Sequence, residues 1–422
     1  MQVDRAIRYR VHPNQEQTAL FRKTIGCCRK LYNTLLAWKR EDDKLYNESR
    51  GQHQREKMPL VTLVKEQCPY MAEVDSLALM NARRNIENAY DNYITSLMGK
   101  RKGKRVGQPK FKKKDVTKSS YSTNMVNHNI AVGYKFIKLP KVGKVEAVIH
   151  RRLPSDAVIQ KVTVTQERNG DWYVSVAYRC DIRPKARCNE VKSVVGLDMS
   201  MASFLVSSDE SEDVAKAKYV RQYRKSEKKR SRLNRKMSRR KKGSHRREKA
   251  RLLLANHDRH TANRRKDFCH KMSRYYARNY DAIVIEDLNM QAMSRTLHLG
   301  KSVMDLGFGM FRSMLTYKCV EEGSELVIAD KWFASSKICN ECGEKYSELK
   351  LSDREWVCPH CGCLIDRDLN AARNLRDYYY REIECTAGTV GIDACGDATS
   401  TSGETLVQVV SLKLEEAPKS LV

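Results

Sequence analysis

Two groups of residues in this sequence have types and spacings that could do chemistry. Cys339-Asn-Glu-Cys342 and Cys358-Pro-His-Cys361 form two C-x2-C pairs with fifteen residues between them. Each short pair puts two thiolates on one tight turn, and two such turns can close a tetrahedral Zn²⁺ site. Four sulfur ligands leave no open coordination position, so a single zinc ion here is expected to hold a small β-ribbon together and not to catalyse. Cys363, two residues past the fourth ligand, reads as a bystander or a substitute ligand, and Cys27-Cys28 reads as a pair of thiols on the first helix. His257 and His260, in HDRH, lack the carboxylate of an H-E-x-x-H arrangement and read as phosphate contacts or solvated side chains.

The second group is acidic. Asp198 ends the apolar run VVGLD, Glu286 ends AIVIE, and Asp368 lies in DRDLNAARN, where a helix begins. Any one of these could be a surface charge or a helix cap. Two neighbouring strands with a helix across them could instead bring one carboxylate each to a common point. That arrangement suits Mg²⁺, which prefers oxygen ligands and keeps several waters, and it suits phosphodiester hydrolysis with two ions. Asp287 competes with Glu286 but points to the opposite face if the strand continues. Asp366 competes with Asp368 and reads as the helix N-cap; spacing alone does not decide between these two.

The elements that must position these residues can be read from periodicity. Ala6 to Val11 alternates like a strand, His12-Pro13-Asn14 breaks it, and Gln15 to about Glu41 carries apolar residues at helical steps. A second helix starts at Asp75-Ser76 and ends at Gly99, followed by the basic run Lys100 to Lys114. Ile130–Leu139 and Val142–Ile149 are strand candidates, and VTVTQER and DWYVSVAY flank Asn169-Gly170 as a hairpin. Further on, Ser193 to Asp198, Ala282 to Ile285 and Leu326 to Ala329 are buried-strand patterns, and Ser203 to Val206 is a hairpin partner for the first. Between Arg221 and Arg251, seventeen of thirty-one residues are Lys or Arg, around a turn at Gly243-Ser244. This predicts two long basic helices, the second running to Tyr280. Phe311 to Glu322 and Asp366 to Tyr380 are helical, and the tail after about Cys385 reads as disordered.

Composition narrows the class. Lys and Arg number 80 against 51 Asp and Glu, a formal charge of +29, so a polyanion is the first partner to expect. No apolar run approaches the roughly 18 residues a spanning helix needs, and MQVDRAIRYR contains no signal-peptide core, so no membrane partner is expected. Fourteen cysteines scattered through a long basic chain do not suggest a secreted disulfide scaffold.

Taken together, YRVHPNQEQTALFRKTIGCCRKLYNTLL, GQPKFKKK, VVGLDMSMASF, IVIEDLNM, WFASSKICNECG and CPHCGCLIDRDLNAARN resemble the TnpB (OrfB) family, RNA-guided nucleases of bacterial insertion sequences related to type V CRISPR effectors. The resemblance covers nearly the whole chain. It implies an α/β fold with β-rich and α-helical modules: a wedge-like β-barrel domain (1–12 and 110–190), a helical recognition domain (13–109), an RNase H-like (RuvC) nuclease domain (191–331 and 365–384), an inserted zinc ribbon (332–364) and a disordered tail (385–422). It assigns the three catalytic acids to Asp198, Glu286 and Asp368, choosing Asp368 over Asp366, and the zinc ligands to Cys339, Cys342, Cys358 and Cys361. It further implies two catalytic Mg²⁺ ions, a guide RNA from the transposon end and double-stranded target DNA beside a short adjacent motif. A bacterial cytoplasmic, nucleoid-associated monomer bound to RNA is expected.

An RNA–DNA duplex is held mainly through phosphates. Arg101, Lys102, Lys104, Lys110 and Lys112 of the first basic run are candidate contacts, as are Arg224, Lys228, Arg232, Arg239 and Arg240 of the second. Tyr121 and Asn124, in a polar β-rich stretch, are candidate readers of base edges. A guide-RNA-dependent repressor without cleavage is the alternative, disfavoured because all three acids are present. A strand transferase with a Tyr nucleophile and a histidine pair is disfavoured because no His-hydrophobic-His motif occurs.

Overall fold

The computed structural model describes residues 1–50, 52–101, 103–114, 119–186, 190–200, 204–209, 218–288, 307–350 and 353–384, without the side chains of 218–225 and 383–384. Lys102, Ser203, the Arg224 side chain and the tail 385–422 therefore lie outside the described residues. The chain divides after Ile182 into two units.

The first unit is built on an antiparallel sheet of seven strands: β1 (Gln2–His12), β2 (Ser119–Asn124), β3 (Ala131–Val132), β4 (Phe136–Leu139), β5 (Gly143–Val148), β6 (Val158–Gln166) and β7 (Trp172–Asp181). Their order is β2-β6-β7-β1-β5-β4-β3. Among the described residues β2 and β3 stand at the two edges of this sheet. β1 buries Ile7, Tyr9 and Val11 on alternate positions and pairs with β7 from Gln2↔Asp181 to Val11↔Trp172. The opening strand thus returns to a sheet formed far downstream. Asn14 and Gln17 form a capping box that starts α1 (Gln15–Glu48). This helix runs seven residues past the expected end. Asp42, buried and bonded to Lys39, His53 and the Glu56 amide, interrupts the apolar stripe there without breaking the helix. With α2 (Val61–Gln67) and α3 (Ser76–Leu97, capped by Asp75), α1 shares one apolar core with the sheet. The Phe21 ring, for example, packs 5.1 Å from Trp172 and 6.2 Å from Tyr121.

The second unit holds a four-stranded sheet in the order β11-β10-β8-β9, from β8 (Val194–Asp198), β9 (Val206–Ser207), β10 (Ala282–Glu286) and β11 (Glu325–Ala329). β10 runs parallel to both β8 and β11, and β9 runs antiparallel to β8. Parallel strands buried on both faces require near-continuous apolar runs, which explains VVGL and AIVI. One face packs Val195, Leu197, Ile283 and Ile285 against α5 (His245–Asn279) and α6 (Phe308–Glu322), with Tyr276, Phe308 and Phe311 in the layer. The other face packs Val194, Ala282 and Val284 against Leu375 and Tyr378 of α7 (Arg367–Tyr378). The basic helix α4 (Lys218–Ser238) precedes α5, as expected from the Gly243-Ser244 turn. A two-stranded ribbon, β12 (Glu355–Val357) and β13 (Leu364–Asp366), has its own small core of Trp356, Leu349 and Ile365 around Cys339 and Cys358. Among the described residues no helix is long and apolar enough to cross a membrane.

Candidate active site and metal centre

Asp198 and Glu286 end adjacent parallel strands. The register pairs Leu197 with Ile285, so the two carboxylates leave the same edge of the sheet side by side. α7 crosses that edge and brings Asp368 from its first turn. The crossing is close because Gly196 has no side chain: a Cβ there would stand 2.0 Å from the Ala372 carbonyl oxygen and 2.5 Å from the Arg376 amide. Burial, then the nearby charges of Glu286 and Asp368, push the Asp198 carboxyl well above the usual carboxylate range. Burial also raises Glu286, opposed by a hydrogen bond from the Ser335 hydroxyl and by the charge of Arg367. Asp368 accepts from Ser200 Oγ at 3.0 Å and from Arg354 Nη1 at 3.1 Å on both oxygens. The competing acids have other partners. Asp366 caps α7, accepting from the Leu369 amide at 2.8 Å, and Asp287 pairs with Arg312 at 2.7 Å.

The four cysteines gather more tightly. Their sulfurs all lie within 4.8 Å of one another, with Cys339–Cys361 and Cys342–Cys358 each at 3.6 Å. A tetrahedron with metal–sulfur bonds of about 2.3 Å has edges of about 3.8 Å, so the donor set fits zinc. Each pair is a knuckle closed by the glycine after its second cysteine: Gly343 N donates to the Cys339 carbonyl and Gly362 N to the Cys358 carbonyl, both glycines at positive φ. Cys363 is not one of the four gathered sulfurs, although its thiol hydrogen-bonds with Cys361, and its carbonyl accepts from the Cys358 amide. Cys28 is a core thiol that burial pushes up to about 12.

The two sites are joined through α7. Asn370 accepts from the Asn340 amide and donates to the Ile338 carbonyl. Asn374 donates to the carbonyls of Ser335 and Ile338 and accepts from the Asn340 side chain. Both asparagines are buried. Sequence reasoning missed this pair, and also Ser335, Arg354 and Gly196. The available signal was the i, i+4 spacing of the asparagines in DRDLNAARN, which puts them on one helix face.

The candidate nucleic-acid contacts fare unevenly. Arg101, Lys104, Lys110, Lys228, Arg232 and Arg239 are exposed, though Arg101 donates to Asn92 and to the Lys104 carbonyl. Arg240 is half-buried and donates to the Arg246 carbonyl. Arg232, Arg235, Lys236, Arg239 and Arg240 line a basic concavity. Two readings need correction, those of Tyr121 and Lys112. Tyr121 is buried against Phe21, because its position on β2 faces the core, so its hydroxyl is not offered to a base edge. Lys112 is half-buried with its ammonium 3.7 Å from the Tyr32 ring centroid, while its backbone is held by Asn33, so it is an internal cation. Asn124 accepts from Asn81 at 3.3 Å within the unit. His257 ties the two basic helices together through Ser226.

Known proteins place this arrangement. Residues 177–297 match the family model described as "Probable transposase", of the OrfB IS605 type, and residues 308–375 match "Cas12f1-like, TNB domain". Residues 1–44 match one described as "Helix-turn-helix domain", although here they form a strand followed by one long helix. A protein of Streptomyces pristinaespiralis named "Putative RNA-guided DNA endonuclease" is 33% identical over 404 residues, covering 94% of this chain and 92% of that one. An Escherichia coli K12 protein, "Putative RNA-guided DNA endonuclease InsQ", is 26% identical over 388 residues, covering 88% and 91%. The fold is similar to that in a cryo-EM structure of a Cas12f1–sgRNA–target DNA complex, with a TM-score of 0.51 at 13% identity over 86% of this chain and 83% of that one. The fold is thus similar to that of Cas12f1. The chain belongs to the TnpB (OrfB, IS605-type) family.

Proposed function

We propose that the protein is an RNA-guided DNA endonuclease that hydrolyses phosphodiesters at Asp198, Glu286 and Asp368. The observation that carries this reading is the desolvated Asp198 carboxyl with two further acids beside it at the end of two parallel strands, where the negative charges repel one another unless a proton or a cation neutralises them. The names of the relatives support the guided DNA cleavage. We assign 191–331 and 365–384 to an RNase H-like (RuvC) nuclease domain and 332–364 to its zinc ribbon. The regions 1–12 with 110–190, and 13–109, would be the wedge and recognition domains. The guide is an RNA from the transposon end, and the target is double-stranded DNA beside a short motif.

Three hard oxygen donors suit Mg²⁺. Two such ions held by Asp198, Glu286 and Asp368 would supply Lewis-acid stabilisation of the attacking and leaving oxygens of the phosphodiester. The chain's own groups keep the carboxylates aimed. Ser335 orients Glu286, Ser200 and Arg354 orient Asp368, and Gly196 lets α7 lie low enough for Asp368 to reach the sheet edge. The exposed cations of α4 would contact phosphates and make binding salt-dependent. The test is Asp198→Ala in complex with guide RNA. Cleavage of matched DNA with Mg²⁺ should fall on the order of a thousandfold or more, with target binding retained. Cutting at the wild-type rate would show the site assignment to be wrong.

A further inference from the structure

Trp332 is 81% exposed, the highest value of any large apolar side chain among the described residues. Trp172 and Trp356 are buried and Trp38 is half-buried, so the chain does not leave its indoles in water elsewhere. The backbone that carries Trp332 is well tied. The Trp332 amide donates to Asp330 Oδ1 at 2.7 Å, and the Phe333 amide to the Asp330 carbonyl at 3.0 Å. The Phe333 ring packs 4.9 Å from Tyr378 of α7, whose hydroxyl receives the Asp330 amide. The turn therefore packs the Phe333 ring, half-buried, against α7 and leaves the Trp332 ring exposed.

Its place in the fold is specific. The turn follows β11, whose Ala329 is paired with Glu286, and Ser335, three residues past Trp332, donates to Glu286. Three residues span at most about 11 Å, so the Trp332 backbone stands no further than that from the residue that orients a carboxylate. The Lys331 ammonium lies 4.7 Å from the indole centroid, which adds a cation at the same spot. A flat aromatic face beside a positive charge is what binds unpaired nucleotides: the base stacks and the cation meets the phosphate. A base inside a duplex has both faces covered by its neighbours and cannot use such a platform.

We propose that Trp332 is a stacking platform for one unpaired nucleobase of the DNA strand being cut, with Lys331 facing a phosphate beside it. This rests on the nuclease reading above and deepens it. Stacking at a fixed place would set which phosphodiester reaches the three acids.

The test uses the complex of the full chain with its guide RNA and single-turnover cleavage of matched DNA. The cut strand carries one abasic nucleotide at successive positions around the scissile bond. Wild type should be slowed about tenfold by the abasic nucleotide at one position. Trp332→Ala should be slowed about tenfold on intact DNA and no further by that same abasic nucleotide, and Trp332→Phe should remain within about threefold of wild type and keep the abasic penalty. Equal rates for Trp332→Ala and wild type, or a penalty that simply multiplies with every abasic position, would overturn the stacking site while leaving the nuclease intact. A wild-type complex that never cuts matched DNA would overturn the nuclease reading, and the platform with it.

Discussion

The cysteine cluster and the carboxylate cluster are opposite solutions to gathering like-charged ligands. Cys339 and Cys361 are 22 positions apart, and two short knuckles with their own ribbon core bring the four sulfurs within 4.8 Å. Asp198 and Asp368 are 170 positions apart, and two strands and a helix must be assembled first. Among the described residues, only the cysteines draw their ligand atoms together so tightly. The first cluster is closed and local, so a bound metal would add to the stability of a ribbon whose apolar core is small. The second is open and non-local, and its desolvated acids weaken the fold that carries them.

The contrast can be broken in several ways, beginning with the largest effect. Cys339→Ser should release the zinc and unfold the ribbon, since structural zinc contributes about 10 kcal/mol or more to such domains. Metal analysis together with limited proteolysis within 332–364 would check this, and full zinc retention would remove the structural role. Gly196→Ala should cost about 3 kcal/mol or more by forcing β8 and α7 apart. It should also lower cleavage with the zinc content unchanged, because the four cysteines are held by their own knuckles and ribbon core. A thermal melt and a cleavage assay on the same preparation separate the two readouts. The smallest effect is one of pH. The folded Asp198 carboxyl holds its proton to higher pH than the unfolded one, so without divalent metal the folded protein should lose stability as pH rises from the ordinary carboxylate range toward neutrality. Asp198→Asn should flatten that slope and raise the melting temperature near pH 7 while abolishing cleavage. Parallel slopes for the two proteins would mean that Asp198 is not the destabilising acid.

What could be read in advance follows the same division. The cysteines were legible because their chemistry is written in adjacent residues. Asp198 and Glu286 were legible because an apolar run ending on an acid marks the end of a buried parallel strand, and the neighbouring register then followed. Asp366 and Asp368 could not be separated by spacing; the structure separates them, one as the cap and the other facing Ser200 and Arg354. Tyr121 and Lys112 were misread because an aromatic or a lysine has the same letter whether it faces water or the core. For Lys112, the deciding feature is the Tyr32 ring, eighty positions away. Ser335 and Gly196 carried no signal in their own neighbourhood, since their roles depend on β10 and α7, to which only the fold brings them close.

Helix α7 has a consequence for how this protein would fail. Its first turn holds Asp368 of the proposed cutting centre, while Asn370 and Asn374 on the same helix grip the backbone of the first cysteine knuckle. A chelator that strips the ribbon would thus loosen the same helix turns that hold Asp368, disarming the proposed cutting centre without touching a single carboxylate.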